Sequence, residues 1–174
     1  KSVQDAGHDI IGKQMTLLGS GGASSAILAQ AALDGLTNIN IFARKGTSWN
    51  VMQTQVDLVN AQTNCKVTLN ELTDKATLKK SISDSAILVN GSSVGMAPNE
   101  SSCLIPDSSY LHSELIVSDV IYNPRKTKLL QMAESAGLPA FNGMYMLLYQ
   151  GAEAFKIWTG QKMPVDLIKQ QLFS

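Results

Sequence analysis

The residues able to do chemistry gather at four points of the chain, the first being Gly19-Ser20-Gly21-Gly22-Ala23, directly after the apolar run Met15-Thr16-Leu17-Leu18. An apolar run that breaks into glycines and resumes as small residues reads as a strand, a tight turn and a helix start. Backbone N–H groups left bare at a helix N-terminus favour a phosphate anion, so the turn reads as a dinucleotide cradle. Close packing of helix on sheet is the other use of such glycines, and the turn alone does not separate the two.

The second point is Ala43-Arg44-Lys45-Gly46-Thr47. It lies about 20 to 25 residues past the first glycine, where an NAD-selective site carries an acid for the ribose 2′-hydroxyl. No acid stands in this segment; Arg44 followed by Lys45 suits a 2′-phosphate instead, and the guanidinium plane can stack on adenine. That pattern leans toward NADP, with a solvated strand end as the plainer alternative. The third and fourth points are Asn90-Gly91-Ser92-Ser93-Val94-Gly95-Met96 and Asp119-Val120-Ile121-Tyr122-Asn123-Pro124. Each alone is ordinary turn chemistry, and their weight comes from falling at successive strand ends.

Those strand ends follow from the patterning. Apolar runs of strand length occur at Gln14–Leu18, Asn38–Phe42, Lys66–Thr68, Ala86–Asn90, Leu115–Asp119 and Leu138–Phe141. Helical patterns lie between them at Gly22–Asp34, Ser48–Gln62, Leu78–Ile82 and Thr127–Ala136, and two closing helices follow at Gly143–Thr159 and Pro164–Leu172. Gly35, Gly137 and Gly160 stand where helices end. The alternation predicts an α/β, Rossmann-like, doubly wound parallel six-stranded sheet with helices on both faces, in one domain spanning residues 1–174. In such a sheet ligands sit over the carboxyl ends of the strands, where the strand order reverses. The segment Asn99–Ser109 is expected to be the most mobile loop.

Composition removes several function classes. With 174 residues, 44% hydrophobic content and zero formal net charge, the chain can bury a core and has no basic footprint for nucleic acid or anionic membrane. Cys65 and Cys103 are isolated and His8 and His112 far apart, so neither a disulfide framework nor a metal site is indicated. Two lone cysteines fit a reducing, cytoplasmic compartment. No apolar run is long enough to span a bilayer, and the start lacks the apolar core of a secretory signal. The opening at Lys1 rather than Met fits a piece of a longer chain. His8 and His112 read as surface residues, Trp49 and Trp158 as packing anchors, and Met144, Leu147, Leu148 and Phe155 as core positions of the first closing helix.

One family has these residues in this order. Gly12-Lys13, the Gly19 to Ala23 turn, Asn90-Gly91-Ser92-Ser93-Val94-Gly95-Met96 and Asp119 to Pro124 with Thr127 and Leu129-Leu130 are followed by Gly143, Met146-Leu147-Leu148, Gln150-Gly151-Ala152, Ala154-Phe155 and Trp158-Thr159-Gly160. The chain resembles the C-terminal, nucleotide-binding domain of the shikimate dehydrogenase family, including its quinate/shikimate branch. The resemblance implies NADP(H)-dependent hydride transfer at C3 of a cyclohexene acid, interconverting 3-dehydroshikimate and shikimate in aromatic amino acid biosynthesis. By the same resemblance Gly19, Ser20, Gly21, Gly22 and Ala23 hold the pyrophosphate, while Arg44 and Lys45 face the adenosine ribose phosphate. Asn90, Ser92, Ser93, Met96 and Val120 lie along the cofactor, and Gly143 and Met146 flank the nicotinamide. Tyr122 and Gln150 reach the substrate; both donate hydrogen bonds, and neither suits proton transfer at neutral pH.

No catalytic residue is assigned within the chain. The family's catalytic Lys and Asp belong to an N-terminal substrate domain and its hinge, absent here, and Lys1 and Asp5 are not those residues. The implied expectation is a chain that binds dinucleotide and is inactive alone, its substrate shared with the missing domain. Ala43 replaces the family's usual Asn, Ser92 the usual Thr, and Tyr145 a usual Gly, while Gly46 stands where NAD-tolerant members carry Asp. NADP is therefore the expected cofactor, with NAD as an alternative. Two other readings stay open: a quinate/shikimate dehydrogenase using either cofactor, and a freestanding dinucleotide-binding module without catalysis. The family includes monomers and dimers, so a homodimer stays open too.

Overall fold

Strand β1 (Gln14–Leu18) is buried from Met15 to Leu18, as a strand covered on both faces must be, and it lies inside the sheet. The computed structural model describes residue 3 and residues 7–172, so Lys1 and Asp5 fall outside it. Five more strands follow: β2 (Asn38–Ala43), β3 (Lys66–Glu71), β4 (Ile87–Asn90), β5 (Ile116–Asp119) and β6 (Ala140–Phe141). Every pairing is parallel and the order is β3-β2-β1-β4-β5-β6. The helices are α1 (Gly22–Leu33), α2 (Thr47–Gln62), α3 (Lys75–Asp84), α4 (Lys128–Ser135), α5 (Met144–Thr159) and α6 (Val165–Leu172), with one 3-10 turn at Ser108–Tyr110. The expected doubly wound α/β sheet is what forms.

The period-two alternation of the strands sorts their side chains into two cores. Met15, Leu17, Ile39, Ile41, Ile87 and Val89 meet Leu28 of α1 and Met52 and Val56 of α2 on one face. Leu18, Phe42, Leu88 and Val117 meet Leu78 and Ile82 of α3 and Leu129 and Leu130 of α4 on the other. Thr16 points to this second face and is fully buried; its hydroxyl bonds those of Ser81 (2.6 Å) and Ser85 (2.8 Å), which registers α3 on the sheet without an unmet polar group.

Two elements outrun the sequence pattern. Helix α3 begins three residues earlier than its apolar stripe suggests, at Lys75, because the Asp74 carboxylate accepts the Thr77 N–H at 3.0 Å and caps it. Strand β3 continues past Thr68 to Glu71, pairing Ala43 with Glu71. The segment 99–109, expected as the most mobile, is anchored in the second core by Ile105, which is 1% exposed.

Candidate functional site

The strand order reverses between β1 and β4, and a groove of about 990 Å³ opens there over the carboxyl ends of β1, β2, β4 and β5. Such a volume suits a dinucleotide-sized ligand. Of the expected site residues, Gly19 to Ala23, Arg44, Lys45, Ser92, Ser93, Met96, Val120 and Tyr122 line it.

The glycine turn has a divided purpose. Gly19 sits at φ +112°, and a Cβ there would come within 3.0 Å of the Ser92 Cβ and 3.1 Å of the Ser24 hydroxyl, so packing and backbone conformation both demand glycine. Gly21 and Gly22 have no such reason: a Cβ on either would meet nothing within 4 Å. Both positions have open space around them and line the groove at the N-terminus of α1, which has no side-chain cap and no acid in its first turn. The packing alternative accounts for Gly19 and fails for Gly21 and Gly22. The N–H donors of an uncapped helix N-terminus are groups that suit an anion.

At the end of β2, Arg44 lies exposed on the groove wall, and among the described residues no carboxylate pairs with it. Lys45 also lines the groove, but its ammonium is paired with Glu71 and lies 5.9 Å from the Trp49 ring. An acid absent from residues 43–47 is thus delivered from the neighbouring strand by register. Ser48, in the first turn of α2, was not among the expected residues; it lines the groove, and its hydroxyl meets that of Ser20 at 2.7 Å, tying the glycine turn to the β2 end. Its signal in the sequence is a hydroxyl in the first turn of a helix that starts just past a strand end.

Asn90 requires correction. It is 2% exposed and does not line the groove; its amide donates to Val94 O (3.1 Å) and to the Asp119 carboxylate (3.0 Å) and its carbonyl accepts from Ser92. A side chain whose hydrogen bonds are all made inside the protein supports the loop and does not contact a ligand. Burial pushes the Asp119 carboxyl above its ordinary range, against the opposing pull of hydrogen bonds from the Ile121 N–H, Thr127 and Asn90.

Gly143, Met146 and Gln150 also lie outside the groove lining. Gly143 is packed beneath it, a Cβ there overlapping the Val120 carbonyl, while its N–H donates to Ile121 O at 3.0 Å. Met146 and Gln150 are exposed on α5. Of the expected core positions on α5, Leu148 alone is buried; Met144 and Phe155 are half-buried and Leu147 is 43% exposed. Trp158 is no packing anchor, being 82% exposed beside Ile157 at 79%. The periodicity of α5 marks a real apolar face that these residues leave uncovered. His8 and His112 are half-buried rather than superficial, His8 stacking on Phe141 and His112 Nε2 bonding Ser85 O at 2.9 Å. Among the described residues no cluster of His, Cys, Asp or Glu could hold a metal ion, and no helix is long and apolar enough to cross a membrane.

Comparison with known proteins agrees with this geometry. Residues 143–173 match the family model of the shikimate 5′-dehydrogenase C-terminal domain. A shikimate dehydrogenase (NADP(+)) of Listeria innocua is 49% identical over 173 residues, covering 99% of this chain and 60% of the relative. The crystal structure of shikimate 5-dehydrogenase from Listeria monocytogenes, in complex with shikimate and NAD, superposes with a TM-score of 0.94 at 49% identity, with 99% of this chain and 60% of that one covered. The ligand-free 5-ketofructose reductase of a Gluconobacter strain is more distant, with a TM-score of 0.78 at 26% identity, covering 97% of this chain and 58% of that one. The chain therefore spans about 60% of the length of the curated relatives it matches. In sequence and in fold, it belongs to the shikimate dehydrogenase family, as that family's C-terminal domain.

Proposed function

We propose that residues 1–174 are the single NADP-binding domain of a shikimate dehydrogenase, working in a cytoplasmic route to aromatic amino acids. The observation that carries this reading is the uncapped N-terminus of α1 on the groove, where Gly21 and Gly22 are glycine with no packing reason to be. A nicotinamide dinucleotide held there would supply hydride exchange with C3 of shikimate and 3-dehydroshikimate. The chain's own residues bind and orient. Gly19 to Ala23 receive the pyrophosphate, Arg44 the 2′-phosphate, and Ser92, Ser93, Met96 and Val120 the nicotinamide ribose; Gly143 and Met146 shape the nicotinamide end, and Tyr122 and Gln150 offer hydrogen bonds to the substrate. The catalytic Lys and Asp come from a substrate domain outside these residues, packed on the exposed apolar face of the closing helices that includes Leu147, Ile157 and Trp158. That the chain spans about 60% of its Listeria relatives supports this division.

A second reading, use of both NAD and NADP, is favoured by the Lys45–Glu71 pair. The pair removes one of two cations from the 2′-phosphate end, leaving Arg44 as the main discriminator. The Listeria monocytogenes relative was crystallised with NAD, in line with a site that tolerates it.

The test is titration of the chain and of Gly21→Ala with NADPH. The wild type should bind, and Gly21→Ala should lose roughly tenfold in affinity, about 1.4 kcal/mol, with folding stability within about 0.5 kcal/mol of wild type. No binding by the wild type, or unchanged affinity in the variant, would remove the cradle. The purified chain should also give no shikimate-dependent reduction of NADP; measurable turnover would refute the division of labour.

A further inference from the structure

The carboxylate of Asp119 is fully buried at the end of β5, lies outside the groove lining, and has no part in the chemistry above. Its Oδ1 accepts from the Asn90 amide and from the Ile121 N–H, both at 3.0 Å, and its Oδ2 accepts from the Thr127 hydroxyl at 2.7 Å. Each donor leads to a different segment. Asn90 bonds Val94 O, Ser92 N–H and the Ser92 hydroxyl, and so shapes the β4 loop. Ile121 is within the β5 loop that carries Tyr122, and its carbonyl accepts the Gly143 N–H that opens α5. Thr127 caps α4 through the Leu130 N–H.

All the donors aim at one acceptor-only group. An Asn in its place would set its own NH₂ against at least one of them. A buried charge without a cation beside it is costly, and for the stability of the sheet alone a well-packed apolar residue serves as well or better. Its location gives the carboxylate another use: it joins two irregular loops, one presenting Ser92 and Ser93 to the groove and the other Val120 and Tyr122. Beyond the last β4–β5 rung, Asn90 with Asp119, and the 3.0 Å bond from the Val120 N–H to Asn90 O that closes it, no strand pairing or helix among the described residues registers those two loops.

We propose that Asp119 is a positioning residue, a buried strut that holds the β4 and β5 loops as one unit and so presets the nicotinamide half of the groove. The inference rests on the cofactor reading above. Its consequence is selective, since the adenosine half is built by the glycine turn and Arg44, which make no hydrogen bond to the strut.

The experiment compares wild type, Asp119→Asn and Thr127→Val for binding of NADPH and of adenosine 2′,5′-bisphosphate, which fills the adenosine half alone. Amide hydrogen exchange is followed in the same samples. Asp119→Asn should lose about tenfold or more in NADPH affinity and keep adenosine 2′,5′-bisphosphate within about twofold. Thr127→Val should move in the same direction by less. In both, exchange should quicken at residues 92–94 and 121–127 together and stay unchanged at 19–23. Parallel weakening of both ligands, or wild-type NADPH affinity in either folded variant, would overturn the strut. If Asp119→Asn does not fold, Thr127→Val decides by the same criteria. A wild type that binds neither ligand would remove the cofactor reading instead, and joint exchange of the two loops would still judge the strut.

Discussion

Arg44→Ala weakens NADPH binding by roughly 1.5 to 3 kcal/mol and leaves NADH nearly untouched, as expected when one charge-assisted contact to a 2′-phosphate is removed. The guanidinium is suited to the task because it is exposed on the groove wall with no carboxylate partner among the described residues, so binding a phosphate breaks no existing pair. Lys45 cannot stand in at full strength while it is paired with Glu71. The loss should shrink as salt is raised, since the contact is at the surface. Titrations with both dinucleotides check it, and an equal loss for NADPH and NADH would sink the assignment.

Gly143→Ala lowers folding stability by about 3 kcal/mol or more, at the upper end for an overpacked site. A Cβ there overlaps the Val120 carbonyl oxygen and comes within 3.2 Å of the Val120 Cα, and these are backbone atoms with no rotamer to turn away. Relief requires moving the start of α5 off the β5 loop, which breaks the Gly143 N–H to Ile121 O bond of 3.0 Å. For a domain of this size such a loss lowers the thermal midpoint by roughly 6 to 12 °C. A melting curve superimposable on wild type would show that the contact yields easily. Gly21→Ala is the built-in control, as its added methyl meets nothing within 4 Å.

The parts of the fold readable in the sequence are those set by local pattern. The run Met15 to Leu18 into Gly19 is strand and turn in one stretch, and β1 and α1 begin and end within a residue of expectation. Edge strand β3 runs past its apolar pattern because only one side of it is packed: Val67 is buried while Lys66, Thr68 and Glu71 are exposed, and no apolar run marks its end. Glu71 reaches Lys45 only through register, a property of two strands that no single stretch encodes. Asn90 stands at a strand end where ligand contacts belong, yet its alternating position turns it inward to Asp119. Trp158 and Ile157 carry the residue types of a core, and residue type alone does not say that α5 leaves them 82% and 79% exposed.

The chain's two tryptophans stand in opposite surroundings, Trp49 half-buried beside the Lys45 ammonium at the rim of the groove and Trp158 almost fully exposed on α5. The molecule thus holds two optical reporters of separate events. Trp49 is placed to report, by quenching or energy transfer, a ligand entering the groove beside Lys45, whereas Trp158 is placed to shift its emission when an apolar surface covers α5. Replacing either one by phenylalanine leaves a single probe, so that a ligand in the groove and an apolar surface against α5 are read separately in one cuvette.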